Sequence, residues 1–178
     1  MICTRLRRIV GVLALMAASA TVGAAQQVSS PLADVGQLMV GTWTGSGVYA
    51  ADYPGVGKKG EKFTATAVCR WAAGKAAIAC EGKDNESTWS SLYWYDVTAK
   101  VVRFAAVNSG GNFDQGTTAK VGAKLVSASA GSFGDGRKVE YKWETLFEDN
   151  GNTRIEAGAT ILNGVRNEYR DTYKRVKK

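Results

Sequence analysis

Between residues 138 and 147 the chain alternates strictly, with Val139, Tyr141, Trp143, Thr145 and Phe147 on one side and Lys138, Glu140, Lys142 and Glu144 on the other. A period of two sends successive side chains to opposite faces of an extended backbone, so this segment is a strand with one dry and one wet face. The same division reads into Ile155, Ala157, Ala159 and Ile161 against Arg154 and Glu156, with Asp149-Asn150-Gly151-Asn152 as the turn of a hairpin. On that reading the isoleucines and alanines face the core, and Arg154 and Glu156 face water. Further turns fall at Pro54 to Gly60, Asp84 to Glu86, Thr98-Ala99, Gly110-Gly111, Gly134-Asp135-Gly136 and Asn163-Gly164. They cut the chain into about ten strands joined as successive hairpins. A meander of that length exposes two sheet edges unless it closes on itself. The expected fold is therefore all-β, a closed antiparallel up-and-down barrel of about 8–10 strands. A short N-terminal helix precedes it, with Ser30 as cap, Pro31 at the first helical position, Leu32, Val35, Leu38 and Met39 on one side, and Gly41 ending it.

Ahead of the helix the chain has the three parts of an export signal: basic Arg5, Arg7 and Arg8, apolar Ile9 to Ala18, and small Gly23, Ala24 and Ala25. The apolar part is shorter than the roughly 20 residues that cross a bilayer. Residues 1–25 are thus expected to be a removed signal peptide, leaving a single domain over 26–178 that is exported, periplasmic or extracellular. Cys3 lies in the basic part and not at the cleavage point, so no lipid anchor and no membrane span are expected. Loss of the leader removes three arginines and no acidic residue, lowering the formal charge from +7 to +4. The remaining charges alternate along strands, and only Lys174, Arg175, Lys177 and Lys178 are concentrated, which is a solvated end and not a nucleic-acid stripe.

Two cysteines remain, Cys69 and Cys80, and an oxidising compartment permits their pairing. The segment between them reads as a hairpin with Gly74-Lys75 at its tip, which places the two opposite one another. A redox or metal-binding pair has no CxxC spacing behind it.

Gly41-Thr42-Trp43, just after the helix and opening the first strand, resembles the Gly-x-Trp element of lipocalins and related calycins. In that family the Trp closes one barrel end and a basic residue of the last strand packs over it. The resemblance assigns these roles to Trp43 and Arg175, with Arg170 as second choice. Leu38 to Gly47, Tyr93-Trp94-Tyr95-Asp96 and the Tyr-Lys-Arg ending look like exported lipocalin-like bacterial proteins over most of the mature chain. Avidin-type barrels share a similar Gly-Thr-Trp start.

The chain contains no histidine, which excludes His-ligated haem, Ser-His-Asp and Cys-His catalysis and the common His-containing zinc sites. No cofactor or metal is expected. Asp171 is the carboxylate to single out, since it shares a strand face with Tyr169 and Tyr173. Buried there, it is either a general acid or base or the anchor of a hydrogen-bond network. Asp114 reads as a rim or loop residue. A barrel of this size can hold a cavity for one small ligand, and the candidate lining residues are Trp43, Trp71, Tyr93, Phe104, Tyr141, Trp143, Tyr169 and Tyr173. Each has ordinary core packing as its alternative. Three functions stay open: a barrel binding a small apolar or amphipathic ligand, an envelope interaction or inhibitor module using the Tyr53 to Glu61 and Asn108 to Asn112 loops, and an isomerase- or cyclase-type enzyme using Asp171 and tyrosines.

Overall fold

A computed structural model describes residues 30–85 and 87–176. The expected leader and its cleavage point, Glu86 of one turn, and Lys177 and Lys178 of the basic tail lie outside the described residues. Helix α1 covers Pro31–Met39. The strands are β1 Gly41–Val48, β2 Lys62–Ala72, β3 Ala77–Asp84, β4 Ser87–Asp96, β5 Val101–Asn108, β6 Phe113–Val121, β7 Lys124–Ser132, β8 Lys138–Glu148, β9 Thr153–Leu162 and β10 Val165–Arg175. Each strand pairs antiparallel with the next, and β1 also pairs with β10 to close the ring. This is the up-and-down barrel expected from the alternation, with ten strands. One turn escaped the sequence reading, at Gly122-Ala123 between β6 and β7, where Gly122 adopts a φ of +62°.

Helix α1 starts where Ser30 Oγ accepts the Ala33 amide at 3.1 Å and Pro31 presets the first turn. It lies across one barrel end and buries Leu32, Val35 and Met39 against Cys69, Ile78, Cys80, Val102 and Leu125. The helix stops at Met39 and hands the chain directly to β1, so Trp43 arrives beneath it. Trp43 is fully buried and donates its indole N–H to Met39 O at 2.9 Å. Arg175 stacks 4.2 Å above the Trp43 ring and donates to the carbonyls of Leu38 and Gly151. A cation over an indole face, with its N–H groups spent on helix and turn carbonyls, ties the first strand, the last strand and the helix together.

Cys69 and Cys80 are direct partners in the β2/β3 ladder and form a disulfide. The hairpin tip is a four-residue turn, Ala73 to Ala76, with Ala72 opposite Ala77, and it preserves the register a two-residue tip would have set. The opposite end of the barrel is covered by the loop between β1 and β2. Its Tyr49 amide donates to Glu61 O at 3.0 Å, Tyr53 pairs with Gly57, and the Tyr53 hydroxyl is 2.6 Å from Thr160 Oγ1 on β9.

The face assignment of β9 departs from the alternation in its sequence. Glu148 pairs with Thr153 across the four-residue turn, so odd positions of β8 face even positions of β9: Tyr141 meets Thr160, Trp143 meets Gly158, and Thr145 meets Glu156. Arg154, Glu156, Gly158 and Thr160 therefore point inward, and Ile155, Ala157, Ala159 and Ile161 lie on the outer face. A loop with an even number of residues exchanges parity between its strands, and register overrides the apolar pattern.

The disulfide closes a short loop, and removing it in a Cys69→Ser/Cys80→Ser double variant is expected to lower unfolding free energy by about 3 kcal/mol. Chemical denaturation followed by circular dichroism checks this, with the β-sheet spectrum retained.

Candidate functional site

The inward faces of the strands enclose two chambers stacked along the barrel axis. The one nearer α1 has a volume of about 270 Å³ and is bounded by Met39, the Cys69–Cys80 bridge, Phe104, Leu125 and Trp143. The one beneath the β1/β2 loop has about 240 Å³ and is bounded by Tyr49, Tyr53, Phe63, Asp84, Thr160 and Asp171. Trp89, Tyr141, Glu156, Tyr169 and Tyr173 line both and form the waist between them.

Of the residues singled out in the sequence, Tyr93, Phe104, Tyr141, Trp143, Tyr169 and Tyr173 line the helix-side chamber, and Tyr141, Tyr169 and Tyr173 reach the loop-side chamber as well. The Tyr93 ring lies tilted against Phe104 at 5.3 Å, and Phe104 meets Trp143 edge-on at 5.6 Å. Trp43 and Trp71 line neither chamber. Trp43 belongs to the floor under α1, and Trp71 lies against Gly36 of the helix, where a Cβ would stand 2.2 Å from the indole. Asp171 lines the loop-side chamber, on the face of β10 that it shares with Tyr169 and Tyr173.

Several lining groups were not anticipated. Asp114 is no rim residue: it sits on β6 opposite Ala106 and lines the helix-side chamber. Asp84, assigned above to a turn, is the last residue of β3 and lines the loop-side chamber. Arg154 and Glu156 come inside through the parity exchange at the β8/β9 turn, and Trp89 through the register of β4 against Gly82. For Arg154 and Glu156 the signal is the turn length, whereas Trp89 shares a face of β4 with Tyr93 and follows from alternation.

Arg154, Glu156 and Asp171 lie next to one another in the interior. Arg154 is 5 % exposed, with its guanidinium carbon 4.3 Å from the Tyr173 ring centre and 5.1 Å from that of Trp43. Its Nε lies 3.4 Å from Glu156 Oε1. Glu156 is directly opposite Asp171 across β9 and β10, so two carboxylates face each other inside the barrel. Burial and, after it, the Glu156 charge push Asp171 up from 3.8 to about 7, against the opposing pull of the Val48 amide. Burial likewise raises Asp84 and Asp114. The phenols respond in the same direction: burial pushes Tyr93 to about 12 and raises Tyr141, Tyr169 and Tyr173 strongly, so all stay protonated donors.

Space for Asp171 is made by its neighbour on β1. Gly47 would drive a Cβ to 1.9 Å from Asp171 Oδ1, and Gly45 a Cβ to 2.2 Å from the Tyr173 ring. Two inward glycines on one strand thus admit an acid and an aromatic from the next. Asp171 Oδ1, Asp84 Oδ1 and the Tyr49 hydroxyl are buried without a hydrogen-bond partner. A carboxyl titrating near neutrality beside phenols can exchange a proton with a bound molecule or hold a donor group by charge.

No protein-family model matches the chain, and no curated protein matches it.

Asp171 has a folded value above its unfolded one, so the native state holds more protons than the unfolded chain across the interval between them. Stability is expected to fall as pH rises from about 4 to about 7 and to level off above that. Asp171→Asn, which keeps the shape and removes the charge, should flatten that slope and raise the melting temperature at pH 8. Thermal melts across this interval check both, and histidine does not contribute because the chain has none.

Proposed function

We propose that this chain is an exported lipocalin-like barrel that binds one small amphipathic molecule in its interior. The observation that carries the reading is the pair of stacked chambers, each walled by aromatic rings and each holding carboxylates. Ligand pockets combine an apolar wall with a few placed polar groups, and those for drug-sized molecules span roughly 300–1,000 Å³. Either chamber alone, at about 270 or 240 Å³, lies just below that range, so the ligand is small. The rings supply contact area at low entropic cost, and the interior acids and phenols fix orientation. Export is supported by the signal-like first 25 residues and by the Cys69–Cys80 disulfide, which an oxidising compartment maintains. The Gly41-Thr42-Trp43 start with Arg175 over Trp43 supports the lipocalin-like assignment.

A second reading, an interaction module for an envelope protein, has one observation in its favour. Val107 and Phe113 pair on the outer face of β5 and β6, 51 % and 43 % exposed, beside the Asn108 to Asn112 loop. The Tyr53 to Glu61 loop presents no comparable apolar side chain among the described residues.

Ala106 is a small residue lining the helix-side chamber. Ala106→Phe is expected to fill it, weakening a neutral environment-sensitive dye such as N-phenyl-1-naphthylamine by about tenfold or more while the fold persists. A dye titration read by the quenching of Trp89 and Trp143 checks this. Undiminished binding in a folded variant contradicts interior binding, and Phe113→Ser, on the outer face, should leave the titration unchanged.

A further inference from the structure

We propose that the loop-side chamber is a site for a small organic cation, an aromatic primary ammonium, held by Asp171 and Asp84 against a wall of tyrosine and phenylalanine rings. The inference rests on the interior-binding reading and names the chemistry of its ligand.

The charge balance inside the barrel comes first. Asp84, Glu156 and Asp171 all line this chamber. Arg154 is the basic side chain that enters the interior from β9, and it is committed elsewhere: its guanidinium lies over the Tyr173 and Trp43 rings and pairs with Glu156. Neither Asp84 nor Asp171 takes part in an ion pair among the described residues. Above neutral pH, where Asp171 is ionised, the chamber therefore carries negative charge that no basic side chain among the described residues offsets, and a buried charge is tolerated where something pairs with it.

A second observation is independent of the acids. The Tyr49 hydroxyl, on a residue only 6 % exposed, is buried in the same chamber wall without a partner. Asp171, 9 % exposed, has an unpartnered Oδ1, and so does Asp84. An ammonium carries three N–H donors, which can serve two carboxylate oxygens and a phenolic oxygen at once. The remaining wall suits the same guest. Tyr49 stacks on Phe63 at 4.9 Å and meets Tyr53 at 5.8 Å, and such faces attract cations and pack aromatic rings. A metal ion is the poorer fit, because no group of three or more carboxylate or cysteine side chains converges to ligate one among the described residues.

The test compares three probes of one size and different charge: phenethylammonium, phenethyl alcohol and phenylacetate, titrated at pH 8 into the full-length exported protein and followed by tryptophan fluorescence and by calorimetry. Phenethylammonium should bind at least about tenfold more tightly than the alcohol, and phenylacetate more weakly than either. Asp171→Asn should reduce phenethylammonium affinity about tenfold and leave the alcohol within about twofold. Asp84→Asn gives an independent second variant with the same expected direction. If the alcohol or phenylacetate binds as well as the ammonium, or if both Asn variants leave its affinity unchanged, the cation assignment is overturned while interior binding stands. If none of the probes binds and an apolar dye does not bind either, both fail.

Discussion

Closure of the sheet is the constraint on which everything else in this molecule depends. Because β1 hydrogen-bonds to both β2 and β10, no strand is an edge, and the inward or outward sense of every side chain follows from a single ring of registers. A slip of one residue in any hairpin would turn the next strand inside out and break the match at the seam. The seam also carries a fastening of its own. Trp43 and Arg175 are paired residues of β1 and β10, and the stack between them is roofed by the carbonyls at the end of α1. Helix, first strand and last strand are thus held at one point, while the other end is covered by a loop whose Tyr53 reaches across to Thr160.

Closure also explains how polar groups come to lie inside. A ring this wide has more interior than its side chains fill, and its lining is decided by register rather than by hydrophobicity alone. Register brings Arg154, Glu156 and Asp171 inward, and the surrounding rings and phenols accommodate them: Tyr173 and Trp43 under the guanidinium, Gly47 beside the carboxyl. The outcome is a cavity with an apolar wall and a concentration of acids, two of which have an oxygen without a hydrogen-bond partner. That combination is costly for folding, and such costs are concentrated where a protein binds or reacts.

Most of the architecture was legible in the sequence, for reasons that can be traced. The turns carry glycine or asparagine at left-handed positions, such as Gly74, Asn150 and Asn163, so strand number and order could be read from them. Cys69 and Cys80 were legible as partners because their numbers centre on the Gly74-Lys75 tip. Gly122 escaped because it stands alone between Val121 and Ala123, without the polar cluster that marks the other turns. The site was less legible. The inward tyrosines of β8 and β10 follow from strict alternation, but β9 carries isoleucine and alanine on its outer face and Arg154 and Glu156 on its inner one. Apolar pattern and turn length disagree there, and the four residues from Asp149 to Asn152 decide. Asp84 and Asp114 were hidden for a related reason: each lies at a strand end next to turn residues, where an acid ordinarily faces water.

The central claim is that the barrel encloses buried, unpaired acid, and the side-chain carboxyl of Asp171 reports on it directly. Its carbon resonance, followed by NMR as pH is varied and assigned by comparison with Asp171→Asn, should titrate with a midpoint near 7. A midpoint near 4 would place that carboxyl in water, and with it the inward face of β10 and the chamber built upon it would be contradicted.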